Sequence, residues 1–515
     1  MPACKSAGAP LPFKTDSRRD ILVVVGVITI LLLRPGMSAG QESQSTNEPA
    51  VKTSEAAPTT PPNAFAGPGP QPKIGVSDKT PVGEMWGDHS YLIPAGELVT
   101  FEASLNFFDR AVYGKKTYGT TFNTFTRNLQ TAPVLDSDSF QMNQLFHPYA
   151  GSMYFGFGRS AGLSYWQSLM YSIGGSELWE TAGETDPPSL NDHIATGIGG
   201  SFLGEPLFRM ASLLLEGGGE HPGFGRELGA AIISPATGIN RFLFGKRFDK
   251  IFPSHDPAMF MRLRLGMSLT ASESDNGPAK SFYRPQATAD FLLEYGLPGQ
   301  AGYSYDRPFD YFDFEFALGN GKGGFENITS RGLLYGTDYE LGDNYDGIWG
   351  VYGSYDYISP EIFRVSSTAL SLGTTAQWWL TKKMALQYSI LGGVGYAAAG
   401  TISGSGDRNY RYGVTPQGLQ AGRLIFGHRA MADLNVREYY ISDSIGSGPA
   451  GHELIGRANA GFAVRLFGRH ALGLQFTVST RDAREAGTPN RHQTEEVVSV
   501  NYTLLGRADF GAVEP

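Results

Sequence analysis

Hydrophobic and polar residues alternate along the chain from about Pro257 to the C-terminus. In residues 261–269 Met and Leu alternate with Arg, Gly and Ser, and in residues 312–318 Phe alternates with acidic residues. A period of two is typical of a β-strand with one apolar face. Similar runs occur at 283–295, 328–335, 348–358, 365–380, 384–399, 418–426, 430–440, 454–466, 471–478 and 497–505. The pattern predicts about twelve strands, within a range of roughly ten to fourteen.

Most of these runs are close to the roughly nine to eleven residues that a tilted strand needs to cross a bilayer. Their polar positions carry charges such as Arg262 and Asp313, whereas the other positions are aromatic or aliphatic in strand after strand. That is more apolar surface than the core of one soluble sandwich needs. We therefore predict a mainly β protein, a transmembrane antiparallel β-barrel over residues 257–506 with a C-terminal tail over 507–515.

The residues before the barrel have helical character. Residues 164–184 can form one helix that is apolar nearly all round and must therefore be buried. Ser189 is placed to begin a second helix, with Asp192 three residues later in a capping-box-like arrangement. A third apolar run, 228–244, contains proline and glycine and is expected to be broken. We predict that this inserted helical segment plugs or caps the barrel.

The N-terminal third divides into segments of different composition. Basic residues, an apolar core and Ser38-Ala39-Gly40 predict a signal peptide over 1–40, cleaved near Gly40. Residues 41–85 are rich in Pro, Ser and Thr and are expected to form a disordered leader. Residues 86–135 contain an alternating run at 98–107, which predicts strands.

Composition narrows the choice of function. The net charge of -9 argues against a nucleic-acid partner. The single cysteine, Cys4, lies in the predicted signal peptide, so the exported chain is expected to have no disulfide and no thiolate metal site. No apolar run of about 20 residues follows the N-terminus, which argues against a helical membrane protein.

Four residues form the candidate catalytic set: His147, Glu180, Glu184 and Asp192. A histidine and carboxylates brought together in a partly dry environment could perform acid–base chemistry or bind a metal. The alternative is a structural role, in which these groups hydrogen-bond to the backbone and to arginines such as Arg159, Arg209 and Arg241 and fix a plug inside the barrel. No tight His-x-x-x-His or Glu-x-x-His spacing occurs here, so the sequence predicts no metal and no cofactor. A serine hydrolase would need Ser152 or Ser189 beside His147, and a helix cap explains Ser189 better.

Other charged residues are candidates for structural ion pairs. Glu205 lies four residues before Arg209, the spacing at which opposite charges meet on a helix. Arg159 and Arg241 are further candidates for pairing with buried carboxylates.

Residues of about 136–245 resemble a bacterial envelope family catalogued as domain of unknown function 3943. The resemblance is carried by Asp138-Ser139-Phe140, Asn143-Gln144, His147-Pro148-Tyr149, Gly151-Ser152, Trp179-Glu180, Glu184, Pro188-Ser189, Asn191-Asp192, Gly199-Gly200, Gly204-Glu205, Arg209 and Asn240-Arg241. It implies an exported envelope protein with a barrel-like C-terminal half, and it implies no activity.

The sequence thus predicts a bacterial outer-membrane barrel of unassigned activity, and it favours a protein that is not an enzyme. The expected partners are outer-membrane lipid and, during biogenesis, the barrel assembly machinery. Two alternatives remain open. One is a membrane-embedded hydrolase or transferase that acts on lipid or cell-wall groups through the candidate set, and the other is a soluble periplasmic protein. The oligomeric state is left open.

Overall fold

The computed structural model describes residues 86–136, 138–274, 281–320, 325–359, 364–400, 410–442, 451–487 and 489–514. The predicted signal peptide and leader lie outside these residues. The described chain consists of a helical part, residues 86–252, followed by a β-barrel. No helix in the described ranges is long and apolar enough to cross a membrane.

Twelve antiparallel strands close into one barrel, in which each strand pairs with its neighbours in sequence and β1 pairs with β12. The predicted strand number and barrel fold are confirmed. The strands are β1 Met259–Ser274, β2 Ser281–Tyr295, β3 Phe312–Gly319, β4 Phe325–Glu340, β5 Tyr345–Ile358, β6 Val365–Thr381, β7 Met384–Gly400, β8 Tyr410–Phe426, β9 Ala430–Ile441, β10 Gly451–Phe467, β11 His470–Glu485 and β12 Arg491–Leu505.

Ion pairs between distant strands identify the inner face of the barrel. Arg264 on β1 pairs with Asp433 on β9 at 3.1 Å, and Arg437 on β9 pairs with Asp356 on β5 at 2.6 Å. Because these strands are not neighbours, the side chains must meet across the lumen. The alternate residues face outward, as a strand requires. Many of them are large, apolar and exposed, including Leu265, Met267, Trp349, Leu370, Leu372, Ile390, Leu434, Phe462, Leu474, Phe476 and Val500.

The C-terminal tail closes one end of the lumen. The backbone of Val513 exchanges two hydrogen bonds with the lumenal side chain of Gln377, at 2.7 and 2.8 Å. Phe510 is fully buried and belongs to an apolar cluster of inward-facing residues at the same end. The tail therefore fills the end of the barrel at which β1 begins and β12 ends.

The helical part contains α-helices interrupted by π-helical segments. The α-helices are α1 Leu92–Val112, α2 Lys115–Tyr118, α3 Phe122–Gln130, α4 His147–Ser160, α5 Tyr165–Leu178, α6 Leu190–Asp192, α7 Gly200–Glu216, α8 Phe224–Ile233 and α9 Pro235–Phe244. The π-helical segments are Met142–Phe146, Trp179–Gly183 and His193–Gly199. The predicted single helix over 164–184 is therefore one α-helix that continues as a π-helix, and the third apolar run is broken before Pro235 as expected.

The prediction of strands in residues 86–135 was wrong, because α1 and α3 occupy this segment. The alternating run at 98–107 also satisfies helical spacing, and α1 buries Leu98, Glu102 and Asp109 on one side. The hydroxyl of Ser104 donates to the carbonyl of Thr100 four residues earlier, a bond that belongs to a helix. Packing of this segment against the other helices favours the helical period of about 3.6 residues over the strand period of about two.

The helical part lies against the outer wall of the barrel, so the prediction of a helical plug was wrong. Asp356 points into the lumen, and its neighbours Tyr355 and Tyr357 therefore point outward. Tyr355 donates to the carbonyl of Gln144, before α4, and the ring of Tyr357 lies 5.8 Å from that of Phe140. The lumen was already filled by its own charged side chains and the tail.

Helix α7 docks on the outer face of strands β4 and β5. The hydroxyl of Ser330 donates to the carbonyl of Phe202 at 2.5 Å, and a Cβ added at Gly353 would lie 2.4 Å from the ring of Phe202. Phe202 is buried and has no room to move away. Gly353 thus permits the closest approach of α7 to the barrel.

We expect Gly353→Val to loosen the helical part while the barrel still forms, because the new side chain overlaps Phe202. The measurement is limited proteolysis of residues 86–252 beside heat-modifiable migration of the barrel. Gly392→Val is the matched control, since Gly392 also faces outward and nothing lies within 4 Å of its added Cβ. Equal protease resistance of the two variants would contradict the docking.

Buried ion pairs join the helical part to the β2–β3 connection. Glu205 is fully buried and binds Arg159 at 2.7 Å and Arg209 at 2.8 Å. Arg209 also binds Asp310 at 3.0 Å and donates to the carbonyl of Pro308. Removing one member of such a cluster leaves an uncompensated buried charge, which costs far more than an exposed pair contributes.

Glu205→Ala should destabilise the helical part by about 3–5 kcal/mol, because it leaves two buried guanidinium groups without their shared carboxylate. The free energy of unfolding, followed by the helical circular dichroism signal, measures this. Glu227→Ala is the control. Glu227 pairs with Arg241 at 2.7 Å but is partly exposed, so its loss should cost about 0–1 kcal/mol. Similar losses in both variants would contradict the assignment.

Candidate functional site

Three of the four predicted residues come together in the helical part. The ligand atoms of His147, Glu180 and Asp192 all lie within 4.8 Å of one another. His147 is the first residue of α4, Glu180 belongs to the π-helical segment after α5, and Asp192 is the last residue of α6. Glu180 and Asp192 are buried, whereas His147 is partly exposed. Residues 45 positions apart in sequence are therefore joined at one place.

Each of these three residues lies in or directly beside a π-helical segment. Met142–Phe146 ends just before His147, Trp179–Gly183 contains Glu180, and His193–Gly199 begins just after Asp192. A π-helical turn inserts a residue into a helix and is frequent at functional sites. All three segments of the site are thus locally irregular helix.

The backbone around the two glutamates is held by buried polar groups. The backbone amide of Ser189 donates to Glu180 at 2.7 Å, and the indole of Trp179 donates to Glu184 at 2.8 Å. The side-chain amide of Asn128 lies within 3.3 Å of the carbonyls of Glu180, Glu184 and Asp186. Glu184 thus lies beside the cluster and is turned toward Trp179.

Hydrogen bonds from nearby residues hold Asp192 and His147 in place. The Asn191 side chain donates to Asp192 at 2.9 Å, and the backbone amide of Asp192 donates to Ser189, which caps α6 as the sequence predicted. The Nδ1 atom of His147 lies 3.3 Å from the hydroxyl of Thr196. The hydroxyl of Ser152 donates to the carbonyl of Tyr149, and neither Ser152 nor Ser189 is hydrogen-bonded to His147 within the described ranges.

Further polar residues surround the cluster where it meets the barrel wall. The buried amide of Asn143 donates to Asp136 at 3.0 Å and to the outward-facing Tyr410 at 2.9 Å. Asp192 is close enough to the outward-facing Tyr396, Tyr410 and Tyr412 for electrostatic interaction. Sequence reasoning missed Asp136 and Asn143 as site residues. Asn143 could have been found, because it precedes His147 by four residues in a helical stretch.

Burial and mutual repulsion raise the pKa values of these carboxyl groups. Burial, together with the charges of Asp192 and Glu184, raises the pKa of Glu180 to about 10. Burial raises the pKa of Asp192 to about 6, and the charge of His147 opposes this rise. Burial also raises the pKa of Glu184 well above its usual value. The protein therefore stabilises the ionised form of these carboxyl groups poorly.

The arginines that could have neutralised the cluster are occupied elsewhere. Arg159 and Arg209 bind Glu205, and Arg241 binds Glu227. In the described part of the chain, no lysine or arginine forms an ion pair with Glu180, Glu184 or Asp192. The arginine partners of the structural alternative are therefore absent at these carboxylates in the described chain, whereas a backbone partner is present, since Glu180 accepts from the amide of Ser189.

Asn128→Ala should destabilise the site by about 1–3 kcal/mol, because it leaves buried carbonyls around Glu180 without a donor. Thermal unfolding followed by helical circular dichroism measures the loss. Asn123→Ala, at an exposed position of the same helix α3, is the matched control and should change the midpoint little. Equal midpoints for the two variants would show that Asn128 does not hold the site.

The closed strand ladder, charged interior and apolar outer face define a β-barrel of the outer-membrane type, with a helical part on its outer wall. Residues 132–236 match the family model described as Domain of unknown function (DUF3943). This confirms the resemblance stated from the sequence. The match covers most of the helical part, including the whole cluster, and leaves the barrel outside it.

Solved structures with some similarity include outer-membrane porins. The NanC porin is 8% identical, with a TM-score of 0.25, and the match covers 46% of this chain and 98% of that one. The KdgM porin is 7% identical, with a TM-score of 0.22, and the match covers 46% of this chain and 98% of that one. The outer membrane channel DcaP of Acinetobacter baumannii is 8% identical, with a TM-score of 0.20, and the match covers 47% of this chain and 96% of that one. No curated protein matches the chain. The fold assignment rests on the strand pairing itself.

Proposed function

We propose that this is an outer-membrane protein in which the barrel anchors the DUF3943 helices in contact with lipid. The observation that supports this most directly is the polarity of the helices. Several of them bury small or polar side chains and expose large apolar ones, which is the arrangement of helices packed together in a membrane. In water, exposing these side chains would be unfavourable.

Helix α5 has this inverted polarity. Its exposed side carries Trp166, Met170 and Ile173, which follow helical spacing, and Met170 is 62% exposed. Its buried side is lined by small residues, namely Ser168, Ser172, Gly175 and Ser176. Small buried residues let neighbouring helix backbones approach closely.

Helix α1 is inverted in the same way. Leu92, Val99 and Phe107 are exposed, and Phe107 is 75% exposed, whereas Glu102 and Asp109 are buried. Helix α8 repeats the pattern, since Phe224, Leu228 and Ile232 are exposed and Ala230 and Ala231 are buried. Three separate helices therefore present apolar faces outward.

The apolar surface of the helices continues onto the barrel. Ile198 is exposed at the end of a π-helical segment. The next residue, Gly199, lies against the outer face of β6, since a Cβ added to it would be 2.7 Å from the hydroxyl of Thr368. Leu370 and Leu372 follow Thr368 on that face and are exposed. One bilayer can cover both surfaces, and a soluble periplasmic protein would leave both in water.

The barrel is better suited to anchoring than to conduction. Cross-lumen ion pairs occupy its interior, the tail fills one end, and the described lumenal residues leave a cavity of about 120 Å³. This supports a scaffold and not a wide channel. The export signal cleaved near Gly40 and assembly by the barrel machinery remain part of the proposal.

A second candidate function is a membrane-embedded enzyme that acts on a lipid or cell-wall group. The observation that favours it is the cluster of His147, Glu180 and Asp192, which is held in place without an arginine partner. The cluster lies between the helices and the barrel wall, beside the proposed lipid contact.

The lipid contact is tested with spin labels on single cysteines in a Cys4→Ser background. A label at Met170→Cys should be more accessible to oxygen than to a water-soluble nickel chelate, as expected for a lipid-facing site. Leu372→Cys on the barrel is the lipid-facing control, and Glu220→Cys in an exposed turn is the water-facing control. A Met170 label that behaves like the Glu220 label would overturn the proposal.

A further inference from the structure

We propose that His147, Glu180 and Asp192 form a binding site for one divalent transition-metal ion, with Zn²⁺ as the ion of best fit. This inference goes beyond the membrane placement and is independent of it. It rests on the geometry of the three donors, the charge around them and the polar groups left without protein partners.

The three donors are close enough to share one ion. Their ligand atoms lie within 4.8 Å of one another, and they are provided by three different segments of the chain. In zinc sites the metal–ligand distances are roughly 2.0–2.2 Å, so that donor atoms around one ion are on the order of 3.5 Å apart. Small side-chain rotations would close the remaining gap.

Two buried carboxyl groups of the site have no lysine or arginine beside them in the described chain. Glu180 and Asp192 are buried, and no lysine or arginine of the described chain forms an ion pair with them. Buried carboxylates are normally paired, hydrogen-bonded or bound to metal. A divalent cation would supply the missing charge.

A fully buried side chain next to the cluster has an unused acceptor. Asn143 is 0% exposed, its amide nitrogen binds Asp136, and its Oδ1 atom has no hydrogen-bond partner among the described residues. A buried acceptor without a partner costs free energy. Metal-bound water is a donor that would satisfy it.

The donor types indicate which metal fits. One imidazole and two carboxylates suit Zn²⁺ and related transition metals, whereas Ca²⁺ takes roughly six to eight oxygen ligands. His147 is partly exposed, which leaves a side from which an ion can enter. Thr196 contacts the Nδ1 atom of His147 and leaves Nε2 for the ion.

The test is isothermal titration of the full-length protein in detergent with Zn²⁺, after removal of bound metal with a chelator. We expect one ion per chain, and at least about tenfold weaker binding for His147→Ala and for Asp192→Asn. His193→Ala is the matched control, because His193 neighbours the site but binds Glu177 and Ser176. Its affinity should equal that of the unmodified protein.

Thermal unfolding provides a second measurement on the same proteins. Zn²⁺ should raise the unfolding midpoint of the unmodified protein and of His193→Ala, and should leave that of Asp192→Asn unchanged. Circular dichroism and heat-modifiable migration establish that each variant is folded. Equal Zn²⁺ affinity in all variants, or no saturable binding to the unmodified protein, would overturn the proposal. Either outcome would leave the spin-label result at Met170 unaffected.

Discussion

The outward-facing surface of the barrel is the constraint on which the rest of the structure depends. Strand alternation forces one set of side chains into the lumen and the other onto the outer wall. The lumen holds arginines and carboxylates that pair across it, together with the C-terminal tail. The helical part docks on the outer wall, where Ser330 and Gly353 contact Phe202.

The helices invert the usual polarity. Helix α5 buries serine and glycine and exposes Trp166 and Met170, and α1 buries Glu102 while Phe107 is exposed. Glycines permit the close contacts that result: a Cβ on Gly200 of α7 would lie 2.6 Å from the Cα of Gly151 in α4. Tight backbone contacts and buried polar groups thus add to the large apolar side chains that α4 and α7 bury between the helices.

The same arrangement creates the candidate site. Buried polar residues are costly beside lipid unless they are satisfied, and the ion-pair cluster around Glu205 satisfies its members with protein partners. In the cluster of His147, Glu180 and Asp192, hydrogen bonds from Ser189 and Asn191 reach the carboxyl groups, but no lysine or arginine of the described chain pairs with them. The helical part therefore contains two sets of buried charged residues. The set around Glu205 is structural, whereas the set of His147, Glu180 and Asp192 is suited to a ligand.

The sequence by itself determined the barrel, its approximate strand number, the family of the helical segment and three of the residues that meet at the site. These follow from local patterns, since a period of two fixes which strand residues share a face. Only the tertiary structure decided where the helices lie, because burial of an apolar helix looks the same in sequence whether lipid or protein covers it. The run at 98–107 suited either period until packing selected the helix. Asp136 joined the site through a long-range contact with Asn191, which no local spacing encodes.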